Sequence, residues 1–167
     1  MRLKEYVYQK LDEMEIPYQV INHKAIFSEL DTNFDDFASN IVIGKNLFLR
    51  NNKKNKYYLI MLPLIKKVNL NELADKLSEK RFSFANEKEL DEHLKITAGS
   101  VSYLNVVTSE KLGGNFKNII YIVDKELMKA EKTGFHPSDN TATVVTTPDS
   151  IVKIFDEYNL EYYIMDL

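Results

Sequence analysis

Leu3, Val7, Leu11 and Met14 recur at helical spacing, so residues 2–14 are expected to form an amphipathic helix. Pro17 follows it, and residues 18–21 read as a strand. Ser28 with Asp31 resembles a capping box that opens a short helix. Across 44–50 the period drops to two, placing Lys45, Leu47 and Leu49 on one strand face and Asn46, Phe48 and Arg50 on the other. A polar turn over 51–56 joins that segment to a second strand, 57–62, so 45–62 is predicted to be a hairpin. Helical period returns after Asn69, which with Glu72 caps a helix carrying Leu70, Leu73 and Leu77 on one face. Residues 81–85 form a short strand, and Asn86 with Glu89 caps a further helix with Leu90 and Leu94 turned inward.

The second half is less periodic. Residues 96–107 read as a glycine-containing loop entering a strand, and 108–118 as a loop with a hairpin turn at Gly113-Gly114. The unbroken apolar run 119–123 is expected at the centre of a sheet, covered on both faces. Residues 124–132 are polar, with one or two helical turns. Thr147-Pro148 opens the last helix, whose buried face is Ile151, Ile154, Phe155 and Tyr158, and 160–165 is the last strand. Interleaved helices and strands predict an α/β class with a mixed sheet, one domain over 1–167.

Composition narrows the chemistry. A chain of 167 residues can bury about two-thirds of its unfolded surface. With 22 basic against 25 acidic residues the net charge is −3, which argues against a broad nucleic-acid-coating surface and leaves room for local contact with one end of an RNA. Lysines 53, 54, 56, 66 and 67 form a local basic patch, either a solvated turn or a surface for a phosphate backbone. The absence of cysteine excludes disulfides, thiolate catalysis and Cys-ligated zinc. His23, His93 and His136 have no HExxH pairing, so no metal is expected. His23 reads as a structural residue and His93 as exposed on a charged face. No cofactor, DNA or membrane partner is expected. No apolar run approaches about 18 residues and the N-terminus lacks a signal-peptide core, so the expected location is cytoplasmic.

Three segments carry candidate chemistry. The stretch 134–146, GFHPSDNTATVVT, leads polar groups into an apolar strand; Asn140, Ala142 and Val144 would face one way and Thr141, Thr143 and Val145 the other. It is either an ordinary turn or a pocket lining held by the strand behind it. Lys45 is either a sheet-edge lysine reaching to water or a cation held over an apolar pocket floor. Gly99 allows a positive φ or a close backbone approach, either of which can aim N–H groups at a bound oxygen. No Ser-His-Asp pattern is present to support covalent catalysis.

Together, KNLFLR (45–50), GSVS (99–102) and FHPSDNTATV (135–144) resemble the free-standing bacterial prolyl-tRNA editing domains, relatives of the editing insertion of prolyl-tRNA synthetase. The resemblance covers nearly the whole chain. It implies a partly closed, barrel-like mixed sheet flanked by helices, and hydrolysis of misacylated tRNA(Pro), most closely the branch that removes alanine. A deacylase for another small residue such as cysteine, or a non-hydrolytic module that binds the aminoacylated tRNA end, are the alternatives. The implied partners are the acceptor end of mischarged tRNA(Pro) and prolyl-tRNA synthetase.

Lys45 matches the family's essential lysine, thought to engage the terminal adenosine, and Gly99 the glycine of a G-x-x-x-P loop whose amides face the aminoacyl group. His136 matches the histidine bounding the amino-acid pocket, and Asn140 and Thr141 its polar rim. Ser100, Val101 and Ser102 complete the substrate-binding loop. One departure stands out: Tyr103 occupies the fifth loop position, where the family has proline, and Ala98 stands where relatives often carry proline. A looser loop with a tyrosine ring at the pocket mouth is the expected consequence.

Overall fold

A computed structural model describes residues 2–25 and 39–167. The helix expected at the N-terminus is α1 (Leu3–Glu13), burying Val7 and Leu11. It is followed by β1 (Gln19–Asn22), β2 (Ile41–Asn51), β3 (Tyr57–Pro63), α2 (Leu70–Lys76), β4 (Phe82–Phe84), α3 (Glu87–Leu94) and α4 (Asn105–Leu112). Then come β5 (Ile119–Asp124), α5 (Lys125–Lys129), β6 (Lys132–Phe135), β7 (Ala142–Thr146), α6 (Pro148–Glu157) and β8 (Tyr162–Met165). The capping box expected at Ser28 and Asp31 lies outside the described residues.

The eight strands form a mixed sheet in the order β1-β7-β6-β2-β3-β5-β8, with β4 paired to β2. Strand β2 is the hinge of this order. Its first residues pair in parallel with β6, from Ile41↔Lys132 to Ile43↔Gly134; from Gly44 on it pairs antiparallel with β3. Period-two alternation along β2 therefore serves two cores. Phe48 joins the larger one, with Tyr121, Phe135 and Phe155, and Leu49 joins the smaller one, with Tyr58, Leu62 and Leu73. As expected, β5 is an interior strand, though one in from the edge; it is paired in parallel on both sides, and five of its six residues are buried.

Caps follow the sequence closely. Asn69 accepts from the N–H groups of Asn71 and Glu72, and Asn86 with Glu89 makes a complete capping box. Pro148 stands at the start of α6, while Thr147 before it makes no side-chain capping bond.

Three local expectations are overturned. Residues 105–112 are helical, so 96–107 does not enter a strand. The β-branched run Val106-Val107-Thr108 mimics one, and five consecutive residues from Asn105 to Ser109 are buried, which erases the amphipathic period. Gly113-Gly114 is not a hairpin turn but the end of α4. Gly113 takes φ 80°, and the Gly114 N–H donates to Ser109 O at 2.9 Å. His93 is 5 % exposed, not a surface residue; its ring lies 4.2 Å from that of Tyr57 and its Nδ1 is 3.2 Å from Asn115 O.

Candidate functional site

The parallel β2–β6 ladder ends at Ile43↔Gly134. Lys45, within β2, and His136, just past the end of β6, each lie two residues beyond that pair, so the register sets two residues far apart in the chain beside the same end of this ladder. Gly134 makes this approach possible. A Cβ there would come within 2.8 Å of both Ile43 Cδ1 and Thr143 Cγ2. On the opposite face, a Cβ at Gly44 would collide with the Phe135 ring, which holds β6 down on the larger core.

His136 is partly buried, and its Nδ1 lies 3.1 Å from Ala142 O. A carbonyl only accepts, so Nδ1 carries the hydrogen and Nε2 keeps its lone pair. Burial pushes the imidazole below its ordinary range, and the nearby His23 adds to this; the Ala142 carbonyl and Asp139 work the other way. His23, read from the sequence as merely structural, sits with its ring centroid 6.1 Å from that of His136. Its Nδ1 faces Lys24 O at 2.7 Å and its Nε2 faces Thr143 Oγ1 at 2.8 Å. By the same logic Nδ1 donates and Nε2 accepts from the threonine. His23 is thus hydrogen-bonded, as expected, but at the site; no local signal could have placed it there.

Residues 136–141 form an ordered loop. Asp139 Oδ1 accepts from the backbone N–H of Thr141 at 2.8 Å and from its hydroxyl at 2.6 Å. Burial opposes the charge, but these two bonds, with Lys4 and Arg2, hold Asp139 below the usual carboxylate range. Lys4 Nζ also donates to Thr141 Oγ1 at 3.3 Å, so this hydroxyl is already engaged on two sides. Asn140 is half-buried on the same loop.

The second loop runs through a single 3₁₀ turn, Ala98–Ser100. Gly113 is the positive-φ glycine among the described residues, so Gly99 does not use that freedom; what it offers is close approach on an exposed turn. Two loop amides are spent internally: Ser100 N–H on Thr97 O and Ser102 N–H on Asn105 Oδ1. Gly99 and Val101 N–H remain without a partner among the described residues. Ser102, expected to touch substrate, is fully buried, and its Oγ accepts from Leu104 N–H at 3.2 Å. Its part is therefore structural.

Tyr103 is also not where the sequence suggested. It is 1 % exposed, edge-on to Phe135 and Phe155, so it fills the core and not the pocket mouth. A cleft of about 520 Å³ opens beside the two loops, with Ser100, Asp139 and Asn140 on one wall and Leu3, Asp91 and Lys95 on another. A larger groove of about 620 Å³, between the ends of α1, α4 and α6, contains none of the candidate residues.

The motif's last residue is accounted for by structure alone. Arg50 donates to Glu89 at 2.5 Å and to Ser83, while Tyr57 O–H donates to the other Glu89 oxygen at 2.5 Å. The basic patch also separates. Lys66 pairs with buried Asp124 at 2.9 Å, and lysines 53, 54 and 56 sit on the turn at the far end of β2 from Lys45. Among the described residues no group of acidic or histidine side chains could hold a metal ion, and no helix is long and apolar enough to cross a membrane.

The family model for the aminoacyl-tRNA editing domain matches residues 32–154. The prolyl-tRNA editing protein ProX of Acetoanaerobium sticklandii is 34% identical over 154 residues, 92% of this chain and 91% of that protein. The prolyl-tRNA synthetase associated domain-containing protein 1 of Mus musculus is 27% identical over 156 residues, 90% of this chain and 88% of its own. Among solved structures, a candidate trans-editing enzyme for prolyl tRNA synthetase superposes with a TM-score of 0.71, covering 100% of this chain and 97% of that one. At 15% identity that likeness speaks for the fold alone.

Proposed function

The chain belongs to the aminoacyl-tRNA editing domain family, and from that premise we propose that residues 1–167 act as one trans-editing deacylase that removes alanine from mischarged tRNA(Pro). The observation that supports this is the parallel β2–β6 ladder, with Lys45 and His136 two residues past its last pair, together with the Asn105–Ser138 hydrogen bond that ties the 134–146 stretch to the 98–105 segment. An aminoacyl ester is already activated, so catalysis needs a placed water and a stabilised oxyanion more than a strong base. Gly99 and Val101 N–H are the donors proposed for that oxyanion; a preorganised donor of this kind is worth about 3–4 kcal/mol. Neutral His136 offers its Nε2 lone pair to the α-ammonium of the aminoacyl group or to the attacking water. Lys45 holds the terminal adenosine region, and Ser100 and Asn140 line the approach, with Thr141 fixing the rim through Asp139. The water's proton leaves with the departing ribose oxygen, so the step closes without a covalent enzyme intermediate.

Alanine is the expected substrate on physical grounds. A synthetase pocket shaped for proline cannot strongly reject a smaller apolar side chain, and a second, smaller site that hydrolyses what fits corrects the error. The ring of Tyr103 is buried in the core and does not obstruct the site, so it gives no support to the alternative of a non-hydrolytic binding module. The proposed partners are the acceptor end of tRNA(Pro) and prolyl-tRNA synthetase, in the cytoplasm.

A deacylation panel of tRNA(Pro) charged with Ala, Cys, Ser or Pro tests this. Turnover of Ala-tRNA(Pro) well above the others is expected, with Pro-tRNA(Pro) spared. Preference for Cys would correct the substrate, and binding of charged tRNA without turnover would overturn the reading as an enzyme.

A further inference from the structure

Asn105 is fully buried at the first turn of α4, where an amide side chain has no water to satisfy it. Its side-chain hydrogen bonds all go to the two site loops. Its Oδ1 accepts from Ser102 N–H at 2.7 Å; its Nδ2 donates to Ser100 O at 3.1 Å and to Ser138 Oγ at 2.9 Å. These partners fix the amide orientation, because the flipped side chain would set its NH₂ against the Ser102 N–H. The hydrogens then run in one direction around a ring. Asn105 Nδ2 donates to Ser138, the Ser138 hydroxyl donates to Thr108 Oγ1 at 2.9 Å, and Thr108 donates back to Asn105 O at 3.2 Å. Ser138 is held at φ 61°, a conformation a non-glycine residue keeps only where its surroundings over-determine it, and it is 4 % exposed.

We infer that Asn105 is a positioning residue for the reaction. It clamps the residues on either side of Val101, which sets the direction of the Val101 N–H, and through Ser138 it fixes that loop against the one carrying His136. This rests on the deacylase reading given above. It also explains how the loop is held with Tyr103 where the family resemblance implies proline: the constraint comes from a buried amide on the following helix and not from a locked φ.

The test pairs native-state hydrogen exchange with single-turnover deacylation of Ala-tRNA(Pro), on wild type, Asn105→Ala and Ser138→Ala. Asn105→Ala is expected to raise exchange at the Ser102 and Leu104 amides at least about tenfold while β5 amides stay protected. It should also lower the single-turnover rate constant about tenfold or more, with tRNA affinity within about twofold of wild type. Ser138→Ala keeps the bonds within the 98–105 segment, so it should slow the reaction while Ser102 stays protected. Should Asn105→Ala fail to fold, Ser138→Ala decides alone, since a wild-type rate there overturns the link between the loops. An Asn105→Ala protein with a wild-type rate, or one whose exchange rises uniformly across the sheet, also overturns the inference. Exchange requires no substrate, so if wild type leaves every charged tRNA(Pro) intact the deacylase reading fails separately. A localised rise then still supports the clamp, and its absence still overturns it.

Discussion

Replacing Lys45 by alanine removes a cation from β2 just past its ladder with β6 but leaves the β2–β3 pairing, which is made by the backbone. Deacylation is expected to fall at least about tenfold, roughly 1.4 kcal/mol of transition-state stabilisation, with the fold retained; a wild-type rate in Lys45→Ala would remove this residue from the site. His136 makes a different demand. Its burial, with His23 beside it, favours the neutral imidazole, so the folded protein takes up this proton at lower pH than the unfolded chain does. The contribution to stability is full above about pH 6.5 and is lost as pH falls from there towards the folded value. Thermal unfolding should therefore move to lower temperature as pH drops below about 6.5, and His136→Gln should flatten that step. Asp139, which faces His136, and Glu89 are both held below the usual carboxylate range, so their losses belong to more acid conditions. An unchanged pH profile in His136→Gln would show that another group titrates there.

At the scale of elements, the segment from the 3₁₀ turn into α4 changes the meaning of Tyr103. A proline there would restore the loop pattern that the family resemblance implies, but the structure gives that substitution a cost, because the ring packs on Phe135 and Phe155 in the larger core. Tyr103→Pro is expected to destabilise by about 3–5 kcal/mol, as other large-to-small changes of buried aromatics do. Single-turnover deacylation should not rise, since Asn105 already orders the loop. Urea unfolding and a rate measurement below the transition check both halves; a faster, equally stable variant would refute this account of the departure. The helix itself was concealed by its own burial. Valine, valine and threonine in a row suggest a strand, and only the neighbours α1 and α3, packed against both flanks of α4, explain why they sit in a helix.

Over the whole molecule, charge is spread so that few phosphates can be met at once. The net charge is −3, Lys66 is paired with Asp124 and Glu126, and the lysines of the β2–β3 turn are remote from the site. Asn51 lies six residue steps along the strand from Lys45, roughly 20 Å at about 3.3 Å each. Binding of tRNA should accordingly weaken only gently with salt, with a log–log slope on the order of −1 to −3. A steep slope in a titration from low to moderate salt would reveal a larger basic interface. The sequence by itself determined what is recorded locally: the α1 stripe, the caps at Asn69 and Asn86, the alternation in β2, the apolar β5 and the motif segments that carry the family likeness. These are legible because periodicity and capping chemistry depend on residues a few positions apart. Tertiary structure alone decided that His23 stands beside His136, that His93 and Tyr103 are interior, that Ser102 serves Asn105 and that Arg50 serves Glu89. A polar or aromatic side chain takes its role from the group that comes to meet it, and in this fold those groups arrive from strands and helices far away in the chain.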